Sequence, residues 1–470
     1  MAVFSGCWPP TFFSPVALLP CSHRKCVKLC DNHFFLIRIF WKRDDTRNSV
    51  NSENLIYTSE DKHHVQKTQF PREDVAKVFL SVCAELKVPV FLLDADILSS
   101  LSPDKASPVS INYNCQLNCR RHVTFGVNFK YWDSQGITQM LISDFFIHSI
   151  KQADPRFRHD TIPTHFFLYP RNAQRHTVIQ VVMFHIRLGS YFWHGAISPL
   201  SRLNSVLPSK AHGDIVYGVH AGAYEKFELD EAQVDNMTVY VPQPPEQFLK
   251  QIPHSKFIEC NSTRARKFVA MYGLDNSEAS QKFQRKARQV LAKTKHLLDS
   301  LEIRFWLSSG TCLGWFRQCG IIPHSKDVDI GIWIKDYNPQ LIPTFQENGF
   351  VLKLMFGKVS DSFELSFATG DIKLDIFFFY DTPKYMWNGG TQAKTGKKLK
   401  YIFSRFTLCW SEFLDLWIRV PCDTLSYITA NYGKDWFKPV KEWDWKKSPS
   451  NVHDNGVWPV EEWDTVIQRF

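Results

Sequence analysis

The sequence predicts an α/β (α+β) protein of two successive domains, a mixed α/β unit followed by a unit organised around a mixed sheet. Three observations predict this. The 470 residues exceed the length at which a single hydrophobic core usually stops growing. Apolar runs of strand length alternate with segments of helical period. The composition, 44% hydrophobic and only 22% charged, is that of a folded chain that can bury a large core.

Residues 1–69 mix Pro, Cys, short apolar bursts and a polar tract, with no sustained period of helix or strand, and read as a poorly ordered tail or linker. The longest apolar burst there, HFFLIRIFW, is far short of the roughly 18 residues of a membrane span and contains Arg38. The first domain, 70–275, opens with helical spacing from Asp74 and a buried strand, VPVFLL. It continues with strand signals in HVTFGVNF, TVIQVVMFHIR and MTVYVP. His176, His185 and His194 lie here without helical metal-ligand spacing and read as satisfied core or surface histidines. The second domain, 276–470, opens with an amphipathic helix over 276–300, whose apolar positions are Phe283, Ala287, Val290, Leu291, Leu297 and Leu298. Strands IRFWLS and VDIGIWI then bracket a short helix, GTCLGWFRQ, and VLKLMF, FELSFA and IKLDIFFFY follow as further strands.

The formal charge of +9 suits a protein that handles phosphate or meets an anionic surface. No dense basic run with interleaved aromatics points to nucleic acid. Twelve Cys lie scattered without zinc spacing; in an oxidising compartment Cys115 with Cys119, and Cys312 with Cys319, are candidate pairs, and buried free thiols are the alternative. Asn236 and Asn261 each begin a sequon that is used if the chain enters the secretory pathway.

Chemistry concentrates in WLSSGTCLGWFRQCGIIPHSKDVDIGIWI. Asp327 and Asp329, two apart on a strand, share one face and repel unless a cation lies between them, which suits oxygen-seeking Mg²⁺ or Mn²⁺. Asp375 sits in an otherwise apolar strand, where a charge is expensive without a partner; sharing the metal would supply one. The Ser309-Gly310 strand-to-helix turn offers backbone N–H groups to a donor phosphate. Lys394, Lys397 and Lys398, in the stretch MWNGGTQAKTGKKLKY, read as a glycine-rich, phosphate-handling loop or as a solvated basic loop. Trp387, Trp436, Trp443 and Trp445 read as packing residues rather than ligand stackers. The set predicts metal-dependent phosphoryl or nucleotidyl transfer, with Asp327, Asp329 and Asp375 as catalytic metal ligands.

These segments, with KLDIFFFY, TLCW and WDWKKSPSNV, and earlier VPVFLLDADIL, SYFWHG and QIPHSKFIEC, closely resemble the fukutin family within the wider LicD-like group, from about residue 70 to the end. The resemblance implies a nucleotidyltransferase-like catalytic domain behind an N-terminal stem domain. It implies a ribitol-5-phosphate transferase of the Golgi membrane with a lumenal catalytic domain. The donor would be CDP-ribitol and the acceptor the N-acetylgalactosamine end of the phosphorylated O-mannosyl core glycan of α-dystroglycan. It further implies a complex with fukutin-related protein and other Golgi O-mannosyl glycosyltransferases, and a type II anchor that residues 1–69 do not display. Competing expectations are a transferase using another CDP-activated donor and a non-catalytic scaffold for such glycosyltransferases. Where the wider group carries extra acids ahead of its DxD element, this chain has His324-Ser325-Lys326, which leaves the number of metal ions open.

Overall fold

A computed structural model describes residues 75–101, 116–117, 120–154, 160–172, 177–197, 215–440 and 442–470. His176, Cys115, Cys119 and the segment 1–69 lie outside them, and Phe70–Phe470 form one unit by their contacts.

The first half builds a nine-stranded mixed sheet from β1 (Phe91–Leu92), β2 (His122–Asn128), β3 (Phe145–Ala153), β4 (Thr161–Pro170), β5 (Val178–Arg187), β6 (Tyr191–His194), β7 (Gly222–Glu225), β8 (Glu228–Val234) and β9 (Met237–Gln243). Its order is β3-β4-β5-β2-β1-β9-β8, with β6 and β7 continuing from β5. The strands β2 and β5 are buried almost from end to end, as expected where a sheet is covered on both faces. Helices α1 (Val75–Glu85), α2 (Ala95–Ser100), α3 (Ser134–Leu141) and α4 (Pro245–Gln251) contribute Phe79, Leu98, Leu141 and Phe248 to this core. His185 and His194 are ordinary packing residues whose ring nitrogens meet the Pro163 and Gly195 carbonyls at 3.0 and 3.1 Å.

The chain then enters the second half through α5 (Ser262–Tyr272) and α6 (Glu278–Ser300). Ser277 caps α6 by accepting from the Ser280 N–H at 3.2 Å. Along α6, Ala287, Val290, Leu291, Thr294, Leu297 and Leu298 recur at helical spacing and form its buried stripe. The second sheet comprises β10 (Phe305–Leu307), β11 (Asp327–Trp333), β12 (Val351–Lys358), β13 (Asp361–Thr369), β14 (Ile372–Asp381), β15 (Met386–Gln392) and β16 (Lys397–Phe403), completed by β19 (Val452–Val457) and β20 (Ile467–Arg469). Its order is β19-β16-β15-β14-β13-β12-β20; β11 joins β14 in parallel and β10 pairs antiparallel with β11. Helix α7 (Ser309–Gln318) connects β10 to β11, α8 (Leu341–Glu347) precedes β12, α9 (Thr424–Tyr432) packs on α7 and β16, and α10 (Trp463–Val466) leads into β20. A separate hairpin, β17 (Leu408–Phe413) with β18 (Leu416–Pro421), is closed by the Cys409–Cys422 disulfide.

Two expectations are corrected. The lysine-bearing stretch after β14 is not a loop but the hairpin β15–β16, because the alternation of buried and half-buried residues in KKLKYIF suits a strand, and only Ala393–Gly396 turn. Cys319 is bonded to Cys260, not to Cys312, whose thiol stays free and fully buried on α7. Six residues of helix separate Cys312 from the left-handed cap at Cys319, and the cap turns Cys319 toward the segment entering α5. That segment is tied to the second half at several points. Ile258 N–H donates to Trp410 O at 2.9 Å, Arg264 Nε to Phe316 O at 2.8 Å, and Tyr191 stacks on Trp417 at 4.9 Å.

Gly331 in β11 shows how tightly the second core is filled: an added Cβ would lie 2.4 Å from the ring of Trp306. That indole is fully buried against Trp333, Phe379 and Phe406 at 4.5, 5.0 and 5.6 Å and has nowhere to move. Gly331→Ala is therefore expected to cost about 1–3 kcal/mol in denaturant unfolding through overpacking, and an unchanged midpoint would contradict this packing.

Candidate active site

The register of β11 on β14 builds the site. Asp329 lies beside Asp375 and Asp327 beside Lys373, and neighbouring residues of a parallel pair project to the same face. On the other flank of β14, Ser366 of β13 is registered with Asp375. One ligand oxygen from each of Asp327, Asp329 and Asp375 falls within 4.8 Å of the others.

Helix α7 holds Asp329 from the opposite side. Its carboxylate accepts the Gly310 N–H at 3.0 Å, its own N–H donates to Thr311 Oγ1 at 2.8 Å, and its carbonyl accepts the Ser308 N–H at 3.0 Å. The positive end of the α7 dipole favours a carboxylate at this place. Gly310 lets the two elements approach, since a Cβ there would stand 3.3 Å from the Asp329 oxygen. The Gly310 N–H expected to hold a donor phosphate thus serves Asp329 instead, while Ser309, at a left-handed φ of 41°, lines the cavity beside it.

The charges are unbalanced. Asp327 accepts from Ser325 Oγ at 2.5 Å, and Asp375 accepts from Ser366 Oγ at 2.5 Å and from Lys373 Nζ at 2.8 Å. Burial, then Asp327 and Asp375, push the Asp329 carboxyl well above its usual range; burial also raises Asp375, against the pull of Lys373 and Ser366. Glu364 is pushed up to about 8 by burial and by Asp375. Lys373 is raised because Asp375 and Glu364 outweigh the opposing effect of its burial. Four acids, Asp327, Asp329, Asp375 and Glu364, thus lie around the ion-paired Lys373, and Asp329 is only 6% exposed. Three convergent carboxylates short of positive charge, and offering hard oxygen ligands, fit a divalent cation of the Mg²⁺ or Mn²⁺ type.

The acids floor a cavity of about 620 Å³. Its walls add residues that the sequence did not single out: Arg317 on α7, Glu364 and Lys373 on the sheet, and Tyr432 at the end of α9. Trp436 and Trp443 pack on Phe316 and Tyr432 at 5.1 and 4.8 Å, and with Trp445 they also border this cavity. The lysines of the hairpin do not reach it. Lys397 pairs with Asp454 at 2.8 Å, Lys398 pairs with Asp361 at 2.7 Å and lies over Trp458, and Lys394 stands in the turn. Asn388, Gly389, Gly390 and Thr391 of β15 line the cavity, whereas the lysines lie beyond them, at the turn and the start of β16. Both sequon asparagines are exposed, Asn236 at the β8–β9 turn and Asn261 as the N-cap of α5, accepting from the Arg264 N–H at 2.8 Å.

Comparison with known proteins agrees with this layout. Residues 24–288 match the family described as Fukutin N-terminal, and residues 302–423 match the LicD/FKTN/FKRP nucleotidyltransferase domain, which contains α7 and all three acids. Over 411 residues the chain is 43% identical to ribitol-5-phosphate transferase FKTN of Mus musculus and to that of Homo sapiens, covering 84% of this chain and 87% of each relative. An uncharacterized protein of Caenorhabditis elegans is 31% identical over 220 residues, 43% of this chain and 57% of that one. With an N-terminal match spanning more than half its length and a nucleotidyltransferase domain built around Asp327, Asp329 and Asp375, the chain belongs to the fukutin family.

Proposed function

We propose that the chain is a metal-dependent ribitol-5-phosphate transferase that moves ribitol phosphate from CDP-ribitol to the N-acetylgalactosamine end of the phosphorylated O-mannosyl core glycan of α-dystroglycan. The observation that carries this reading is the convergence of three carboxylates within 4.8 Å of one another on the floor of a cavity large enough for a nucleotide-linked donor. The names of the 43% identical relatives support the transferred group.

Asp327, Asp329 and Asp375 would hold Mg²⁺ or Mn²⁺, which when bound neutralises the donor diphosphate and the charge that develops on the leaving CMP. The remaining work falls to side chains that position and protect. Thr311 and Gly310 fix Asp329 against α7. Lys373 and Ser366 orient Asp375, which either holds the metal or takes the proton of the attacking acceptor hydroxyl. The new bond joins the acceptor oxygen to the phosphorus bearing ribitol, the bond from that phosphorus to CMP breaks, and CMP leaves. No covalent enzyme intermediate is required, because phosphoryl transfer asks mainly for positioning and charge stabilisation.

The cellular setting belongs to the same proposal: a Golgi lumenal enzyme, membrane-anchored, working with fukutin-related protein and other O-mannosyl glycosyltransferases. Two disulfides, Cys260–Cys319 and Cys409–Cys422, and two exposed sequon asparagines support an oxidising, glycosylating compartment.

CMP release from CDP-ribitol in the presence of the phosphorylated acceptor is expected to require Mg²⁺ or Mn²⁺ and to fall by at least about a thousandfold in Asp329→Asn, a loss of roughly 4 kcal/mol of transition-state stabilisation. Metal-independent release, or wild-type rates in the variant, would sink the assignment. A second outcome is expected in thermal unfolding. Without divalent cation Asp329→Asn should be at least as stable as the wild type, since it relieves repulsion among buried acids. Only the wild type should gain, by about 2.7 kcal/mol at a hundredfold excess over the dissociation constant.

A further inference from the structure

One charge in the cavity plays no part in the arrangement around the acids. Arg317 occupies the last turn of α7, is 4% exposed, and contributes to the cavity wall. Its Nε and one Nη donate to Gln318 Oε1 at 3.3 and 3.0 Å, a neutral acceptor, and its guanidinium lies over the Phe268 ring at 4.5 Å. Among the described residues its other terminal nitrogen has no hydrogen-bond partner, and no carboxylate pairs with it. A deeply buried arginine of the first half, Arg187, behaves as expected of such a charge and is paired with Asp154 at 2.9 Å. A guanidinium carries five donors in a planar fork matched to phosphate, so a buried one without an acid, facing a cavity, is a site waiting for an anion.

Its place along α7 says which anion. Ser309, Leu313 and Arg317 are four residues apart and form the helix face that lines the cavity. At 1.5 Å per residue, Arg317 stands about 12 Å along the helix from Ser309, which borders the acids. A diphosphate held at the acids occupies the Ser309 end of this face, which leaves the Arg317 end to a second anionic group. The wall near Arg317 is aromatic, with Trp436 packed edge-on to Phe316 at 5.1 Å, a surface suited to a sugar ring. Asp435, another acid of the cavity wall, is engaged by Lys438 at 3.0 Å.

We propose that Arg317 is the anion contact of a second subsite in this cavity, which takes a phosphate ester carried by the acceptor and so selects phosphorylated acceptors. The inference rests on the transferase reading above. A cation in the last turn of α7 also complements the helix dipole, and the test separates that role from binding.

Arg317→Gln and Arg317→Lys, in the full chain, are compared with the wild type on the phosphorylated acceptor and on the same glycan with its phosphate removed. Arg317→Gln is expected to raise KM for the phosphorylated acceptor by on the order of ten- to a hundredfold, the scale of a lost charged hydrogen bond, with kcat and the donor KM within about twofold. Its preference over the dephosphorylated glycan should disappear. Arg317→Lys, which keeps the charge but not the fork, should fall between. Equal losses on both acceptors would make Arg317 a structural residue, and a raised donor KM would assign its phosphate to the donor; either overturns the proposal. Calorimetric titration with mannose 6-phosphate judges the subsite independently of turnover. Binding is expected in the wild type, weakened in Arg317→Lys and lost in Arg317→Gln, and equal binding in all three overturns the subsite. Should the wild type bind this probe yet release no CMP from CDP-ribitol, the transfer reading fails and the anion site stands. If Arg317→Gln does not fold, Arg317→Lys decides alone: an unchanged phosphate preference and unchanged probe binding overturn the proposal.

Discussion

Parallel pairing of β11 with β14 brings Asp329 alongside Asp375, and nearly everything else in the second half accommodates that juxtaposition. Burial raises the proton affinity of both, and neighbouring acids add to it: Asp327 and Asp375 at Asp329, Asp327 at Asp375. The protein meets the cost locally with the α7 N-terminus on one side and Lys373 and Ser366 on the other. Complete relief would remove the attraction for a cation, and the compensation stops short: one lysine stands against four acids. The sheet holds the repelling groups in register because both strands are packed from end to end by apolar neighbours, from Val328 and Ile330 to Leu374, Ile376 and Phe378.

Helix α7 carries this arrangement outward. Its first turn fixes Asp329, its inner face presents Leu313 and Arg317, and its cap at Cys319 is bonded to the segment that precedes α5. The first half of the chain thereby reaches the chemistry through structure rather than through side chains in the cavity. Tyr191 supports the β17–β18 hairpin by stacking on Trp417 and by donating to Glu412 at 2.6 Å, and Trp315 of α7 in turn donates to the Glu412 carbonyl at 3.2 Å.

Much of the catalytic half was legible in the sequence because its signals are local. The helix ending at Ser300, the short glycine-containing helix, and the acids two apart at a strand start all declare themselves through spacing. Asp375 was legible for a different reason, as a charge in an apolar run. What escaped depends on contacts between distant segments. The alternation in KKLKYIF was present, but lysines beside glycines imitate a loop, and only pairing with β15 and β19 makes the strand. The cysteine partner of Cys319 lies 59 residues upstream, beyond any spacing rule. Arg317 reads in sequence as an ordinary basic residue near a helix C-terminus, and its lack of an acid becomes visible only once the neighbouring elements are in place. Trp436 and Trp443 pack on Phe316 and Tyr432 as expected, and only the fold shows that they also border the cavity.

The bond between Cys260 and Cys319 has an evolutionary consequence. Its two ends lie in separately recognised stretches, 24–288 and 302–423, so the modules are covalently one body even though sequence comparison sees two. One terminus of the active-site helix is thereby fastened from outside the catalytic stretch. Recombination that exchanges one stretch without the other would leave an odd thiol on each product, and inheritance of the two as a pair follows from that chemistry.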